Sequence, residues 1–463
     1  MAMSEPDRLT LVLRYADLGI ATYASLRIVG QPSRTVTWVL EEPLLLAALQ
    51  ELTAALPEPH GAESRRDAIE RALATGPFTR PDTELTVAYI LGVLLIGTPG
   101  WQLLAECAAS PRAVLFVSPS ARLARAPWGL LAIPKSGPSK EELVRARQDA
   151  ITASGRAAAQ IPWRLADIDE LTDGHRLMEL VEVLMAVPPN IVHSPRTPAR
   201  WDARREGPPL LVLDPRVPGQ RPDSALGSVL GRPAPHTPVA RHFAGLIERR
   251  PVLPRTDTVL ELFRRHDADR AWLGEQLAQT PCRLLYVGHA SSADDRHDQG
   301  TRADRAALHL ADTAAIPGDA NAIGDHRPLT ASDLMALRLP MPPRVALLAC
   351  GSGGDYQFDE ATGLVAALIL NGAQLVTATL WSLPTTAAYR QFAELSGAPG
   401  PEPADPMAEL VAAVDAAHDA APEAGCAVNR WQREQLRRWR DGDPGASPLY
   451  WAALVTFAVD GER

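Results

Sequence analysis

Arg344-Val-Ala-Leu-Leu-Ala-Cys-Gly-Ser-Gly-Gly354 is the stretch whose reading decides the fold. An unbroken apolar run leads straight into Cys350 and then into a glycine turn, with no alternation of apolar and polar positions. A strand buried on both faces reads this way, and such strands belong to parallel sheets covered by helices. About sixty residues upstream, Cys282-Arg-Leu-Leu-Tyr-Val-Gly-His-Ala290 repeats the pattern and ends its run at His289. Two buried strands thus each finish with one half of a Cys/His pair. A free thiol, with a pKa of about 8.5, is mostly protonated at neutral pH and needs a nearby imidazole to act as a nucleophile.

Working outward, short apolar segments at Ala113 to Val117, Leu210 to Leu213, Arg283 to Val287, Val345 to Leu348 and Leu375 to Thr379 predict strands. Helical spacing predicts helices over Leu177 to Met185, Val259 to Ala278, Ala331 to Leu337 and Thr362 to Leu370. The start of the Val259 helix is ambiguous, because Leu260 and Leu262 alternate as a strand would. The fold class that follows is α/β, a mostly parallel central sheet flanked by helices. Sheets of this kind place chemistry at the carboxyl ends of their strands, and His289 and Cys350 both fall there. Pro188 to Pro209 and Ser291 to Asp304 read as loops.

The beginning of the chain is different. Leu9 to Tyr15, Ile20 to Ile28 and Thr35 to Leu40 read as strands, and Glu41 to Leu56 and Ala68 to Ala74 as helices. A further helix runs through Ile96. The Gly/Pro cluster from Gly76 to Pro81 marks a boundary, which divides the chain into an N-terminal β-then-helical region, residues 1–84, and a main domain, residues 85–463. The first region reads as regulatory, docking a partner or holding the site.

Composition narrows the classes further. The chain has 463 residues, 46% of them hydrophobic, and a formal net charge of −9. That balance disfavours generic nucleic-acid binding, which needs a clustered cationic surface. Lys135 and Lys140 are the sole lysines against many arginines and 42 prolines, the bias of a GC-rich bacterial coding sequence. Four cysteines lie far apart without C-x-x-C spacing, so no zinc site and no other cofactor is expected. The opening residues carry no signal pattern, and the longest apolar stretch, Tyr89 to Ile96, is too short to span a bilayer. A cytoplasmic protein without membrane contact is the expectation.

Each candidate residue has an ordinary structural explanation beside the chemical one. A lone cysteine at a strand end is usually a small buried hydrophobe. His297, His309 and His326 read as structural, in polar loops or an edge strand. The segment Arg430 to Arg440 interleaves arginine with tryptophan and reads as an amphipathic helix whose arginines are solvated. What lifts His289 and Cys350 above the ordinary reading is their shared placement.

The same two residues carry a resemblance. With Gly363 to Leu370 and Asn371-Gly-Ala-Gln-Leu-Val-Thr-Ala-Thr-Leu-Trp381 following them, they resemble the CHAT family of caspase-like cysteine peptidases. Arg112 to Pro119, Leu123 to Leu131, Pro328 to Leu334 and Ser447 to Phe457 resemble the family's other landmarks, so the likeness covers roughly residues 85–463. It implies a caspase-like sheet and peptide-bond hydrolysis through an acyl-enzyme, with His289 as base and Cys350 as nucleophile. The backbone amides of Ala290 and Cys350 are the oxyanion-hole candidates. Gly351, Trp381, Ser382, Asp355 and Asp359 are the substrate-binding candidates. Ala290 departs from the glycine usual after the histidine, which is tolerated if φ stays negative. Ser382 to Ala388 lacks the acidic residues common after the tryptophan, which argues against a strongly basic P1 residue.

The expected function is therefore a regulated bacterial cysteine endopeptidase in a defence or stress pathway, such as antiviral defence. It would act on a specific protein substrate and answer to an activating or sensor protein encoded nearby. Two alternatives stand. One is a catalytically silent CHAT scaffold acting by protein contacts. The other is a nucleotide-binding α/β protein, suggested by Gly351-Ser-Gly-Gly354 between a strand and a helix, although no complete phosphate-binding signature is present.

Overall fold

The structure is a computed structural model that describes residues 9–459 except 20, 109–112, 136, 138, 140, 143, 146–147, 149–167, 222–223, 225, 292–302, 350–362, 394–403 and 421. Contacts divide the chain into two compact units: residues 1–186 with 433–444, and residues 187–432 with 445–463.

The first unit begins with a meander, β1 (Thr10–Asp17), β2 (Ala21–Ile28) and β3 (Gln31–Glu41). Four helices follow: α1 (Glu42–Ala55), α2 (Arg65–Ala74), α3 (Pro81–Leu95) and α4 (Thr98–Ala108). The remaining strands are β4 (Val114–Ser118), β5 (Ala132–Pro134), β6 (Thr172–Arg176) and β7 (Glu182–Ala186). The sheet order is β3-β2-β1-β4-β7, antiparallel through the meander and parallel from β1 to β7. Strict alternation in β1 buries Leu11, Leu13 and Tyr15 and leaves Arg14 exposed, as expected of a half-buried sheet. Gly92 is required on α3, because a Cβ there would lie 2.0 Å from the Ala132 carbonyl oxygen of β5. A buried ion pair, Arg176–Glu84 at 2.9 Å, ties β6 to α3. Among the described residues no single helix is long and apolar enough to cross a membrane.

The second unit carries β8 (Leu210–Leu213), α5 (Pro238–Arg249), α6 (Arg270–Leu277) and β9 (Arg283–Val287). Three short strands, β10 (His289–Ser291), β11 (Ala307–His309) and β12 (Leu329–Thr330), form a small antiparallel sheet. Then come α7 (Ala331–Leu337), β13 (Arg344–Leu348), α8 (Leu364–Leu370) and β14 (Leu375–Thr379). The rest is α9 (Thr386–Phe392), α10 (Pro406–Ala420), α11 (Ala424–Arg440) and β15 (Leu454–Ala458).

Its main sheet runs β15-β14-β13-β9-β8, parallel from β14 to β8 with β15 antiparallel at one side. Every residue of β8, β9, β13 and β14 is buried, and α10 packs on β9 and β13 while α8 packs on β14. The expected α/β class with a mostly parallel, helix-flanked sheet is what the molecule has. Register aligns Leu213, Val287 and Leu348 across the sheet, so the chain leaves three adjacent strands at one edge.

Three sequence expectations need correction. Leu177 to Met185 is not one helix: a single turn, Leu177–Leu180, gives way to β7, which pairs in parallel with β4. Val259 to Ala278 is a short turn at Val259–Leu262, a break, and then α6, whose start Asp269 caps by accepting from the Trp272 amide. The arginines of α11 are not simply solvated. Arg433 is 2.8 Å from Glu182 and Arg440 is 2.8 Å from Glu179, all within the first unit.

Candidate active site

The carboxyl edge of the parallel strands gathers the chemistry. Val287 ends β9, and the Gly288 amide donates to the Leu348 carbonyl of β13 at 3.2 Å. Gly288 has no room for a side chain: a Cβ would lie 2.8 Å from the Tyr286 hydroxyl and 3.3 Å from Pro215. That hydroxyl shares its proton between the carbonyls of His289, at 2.7 Å, and His309, at 3.0 Å. The two residues face each other in the β10–β11 ladder, so the start of β10 is held on both sides.

The His289 imidazole is 5% exposed. Its Nε2 lies 2.9 Å from the Gly227 carbonyl oxygen. A carbonyl only accepts, so Nε2 carries a proton, and the tautomer this selects leaves the lone pair on Nδ1. That Nδ1 is buried and has no hydrogen-bond partner among the described residues. A buried imidazole with one nitrogen oriented by a carbonyl and a lone pair on the other is equipped as a general base.

Cys350 lies outside the described residues, as do Gly351, Asp355 and Asp359. The described backbone of β13 continues to Ala349, whose carbonyl accepts a hydrogen bond from the Thr379 hydroxyl of β14. The residue before the candidate nucleophile is thereby tied to the neighbouring strand. Cys107, Cys282 and Cys426 are buried and form no disulfide among the described residues, and burial pushes the Cys107 and Cys282 thiols up. Neither is prepared as a thiolate.

The remaining candidates are placed as follows. Ala290 sits opposite Leu308 in the β10–β11 ladder. Among the described residues, non-glycine positive φ occurs at Asp214, Arg264, Thr280 and Arg338, so Ala290 has an ordinary backbone. Trp381 is fully buried with its indole N–H donating to the Leu449 carbonyl at 2.9 Å, and Ser382 beside it is half-buried. His309 and His326 are buried rather than in polar surroundings: His309 Nδ1 is 3.0 Å from His326 Nε2, and His326 Nδ1 is 2.9 Å from the Asp312 carbonyl. His297 lies outside the described residues.

Sequence reading missed a second set of residues at this edge. Asp214 follows β8 directly and is 1% exposed. Its carboxylate accepts from the Ser228 hydroxyl at 2.6 Å, the Val229 amide at 3.2 Å and the Arg264 guanidinium at 3.3 Å. The same Arg264 nitrogen donates to the Gly227 carbonyl at 3.0 Å. The Val229 carbonyl accepts from the Thr386 amide at 3.3 Å, at the start of α9. A signal was available for Asp214, an acid at the carboxyl end of an apolar strand. None was available for Gly227, since any residue offers a carbonyl.

Fold and edge together define the chain as an α/β protein with a histidine presented at the carboxyl ends of parallel strands. The CHAT domain model matches residues 95–458, and the chain belongs to that family. No curated protein matches it. Two crystal structures of the Saccharomyces cerevisiae separase–securin complex, at 3.0 and 2.6 Å resolution, are similar at 11% identity and a TM-score of 0.38. Each match covers 97% of this chain and 30% of the other. The chain thus spans under a third of the length of those structural neighbours.

Proposed function

We propose that this protein is a cysteine endopeptidase in which His289 activates the Cys350 thiol. The observation that carries the reading is the state of His289: buried at the carboxyl edge, its Nε2 proton given to the Gly227 carbonyl and its Nδ1 bare. In the proposed reaction Nδ1 takes the thiol proton and sulfur attacks the scissile carbonyl carbon. The imidazolium returns the proton to the leaving amine as the C–N bond breaks. Water, deprotonated by the same nitrogen, then releases the acyl group from sulfur. The amides of Ala290 and Cys350 are proposed to hold the developing oxyanion, with one such donor worth about 3 kcal/mol in well-studied sites.

The substrate is proposed to be a specific protein, and a strongly basic P1 residue is disfavoured. Ser382 to Ala388 offers no carboxylate, and the buried Asp214 already satisfies Arg264, Ser228 and the Val229 amide. Burying a substrate cation without an acid beside it would be costly, so Asp355 and Asp359 after the cysteine turn are the acids left to receive one. Control by an activating protein encoded nearby belongs to the same proposal.

The test is to profile wild type, Cys350→Ala and His289→Ala on a diverse peptide library, with and without proteins encoded by neighbouring genes. Cleavage by wild type alone is the expected result, and the residues before the cut report P1. Cleavage that survives Cys350→Ala would sink the reading. Silence from wild type under every condition favours a scaffold instead.

A further inference from the structure

We infer that Asp214 and Arg264 are positioning residues for the His289 imidazole, acting through the Gly227 carbonyl; the inference rests on the peptidase reading. The chain of contacts is continuous. His289 Nε2 donates to the Gly227 oxygen at 2.9 Å, and Arg264 donates to the same oxygen at 3.0 Å. A carbonyl has two lone pairs, and here the two described side-chain donors use them. Arg264 is itself aimed by Asp214, which also grips the two residues after Gly227 through the Ser228 hydroxyl and the Val229 amide. One buried carboxylate therefore fixes both the arginine and the loop carrying the carbonyl.

The backbone points the same way. Asp214 and Arg264 are two of the four non-glycine residues with positive φ among the described residues, at 51° and 53°. An arginine gains nothing locally from that conformation, so its surroundings must impose it. They do. The Asp214 amide donates to Val287 at 2.6 Å and the Arg264 amide to Leu213 at 3.1 Å, pinning both residues to the ends of β9 and β8. Backbone held against its preference beside a candidate base is better explained by a geometric requirement at the base than by packing. A Gly227 carbonyl free to swing would let the ring rotate, and the bare Nδ1 would lose its direction. Ion-pair packing alone would require no contact with the oxygen that orients His289.

The test uses the full chain and iodoacetamide as probe, reading alkylation site by site with mass spectrometry. At neutral pH an ordinary thiol is a few per cent thiolate, so removing an activating imidazole slows alkylation at Cys350 by at most roughly 30-fold. His289→Ala is expected to approach that limit. Arg264→Gln is expected to slow Cys350 by about three- to tenfold, and Arg264→Lys, which restores a cationic donor, to recover most of the rate. Labelling at buried Cys107, Cys282 and Cys426 separates positioning from unfolding, because a loosened fold exposes them. If Arg264→Gln does not fold, Ser228→Ala removes one contact to Asp214 and is read instead, with a smaller slowing. Wild-type rates at Cys350 in both variants, with His289→Ala slow, would overturn the clamp and leave the dyad standing. A wild-type rate in His289→Ala would overturn both.

Discussion

The two edges of the second unit's parallel sheet both bury a histidine among arginines and aspartates, and they use it in opposite ways. At the carboxyl edge His289 meets a carbonyl that can only accept, which fixes its tautomer. Towards the amino edge, beneath α10, His418 Nε2 lies 2.8 Å from the Thr377 hydroxyl in the middle of β14, a group able to donate or accept. Burial, then the charges of Arg344 and Arg283, hold His418 well below the usual histidine range. Those arginines are themselves structural. Arg344 donates to the carbonyls of His418 and Pro422 and stacks 3.6 Å over Trp201, and Arg283 lies 3.0 Å from Asp415. Burial of an imidazole is thus no mark of chemistry. What sets the proposed base apart is a proton held on Nε2 at the mouth of parallel strands.

The sharpest way to break this contrast is to remove each histidine. Cys350→Ala and His289→Ala are expected to lower peptide turnover by on the order of a thousandfold, while His418→Gln leaves it within about twofold. Equal losses from His289 and His418 would erase the distinction between the edges. Next comes the amino-edge ion pair. Asp415 is 3% exposed and serves both Arg283, at 3.0 Å, and His242, at 2.9 Å. Asp415→Asn should cost up to about 3 kcal/mol in urea denaturation, because the buried Arg283 guanidinium loses one of its two carboxylates and keeps Asp419. The folded variant should still turn over substrate.

Acid should act on the structural histidines. Burial holds His418 and His326 below the ordinary value of 6.5. As pH falls past 6.5 the unfolded chain takes up protons that the folded chain refuses. Stability present above that value is therefore lost downward from it, towards the depressed folded-state values. His418→Gln should flatten the slope of urea stability against pH in this window; an unchanged slope would remove His418 as its source. The smallest effect belongs to Ala290→Gly. Since Ala290 already has an ordinary φ, turnover should change less than about twofold, and a larger gain would mean the methyl crowds the site.

Much of this was legible in the chain itself. Leu284 to Val287 and Leu210 to Leu213 run without a charged residue because both faces of those strands are covered, and the strands read as Arg283 to Val287 and Leu210 to Leu213 match the structure residue for residue. Leu177 to Met185 misled because nine mostly apolar residues suit a helix or a strand. Its pairing with β4, which decides, is a tertiary fact. The break after Leu262 was hidden for a similar reason, since Arg264 reaches φ 53° only because β8 and Asp214 hold it there. At the site, His289 announced itself by residue type and position. Its orienting group did not, because hydrogen bonding by the main chain leaves no letter in a sequence.

The Gly227 carbonyl carries that last point further. No exchange of side chains at residue 227 deletes it, so a mutational scan would score the position by backbone tolerance and overlook its part in holding a proton. Any residue at 227 would offer the same kind of carbonyl. Only an edit to the main chain, such as replacing the amide at this peptide with an ester to weaken the carbonyl as an acceptor, would address the group itself.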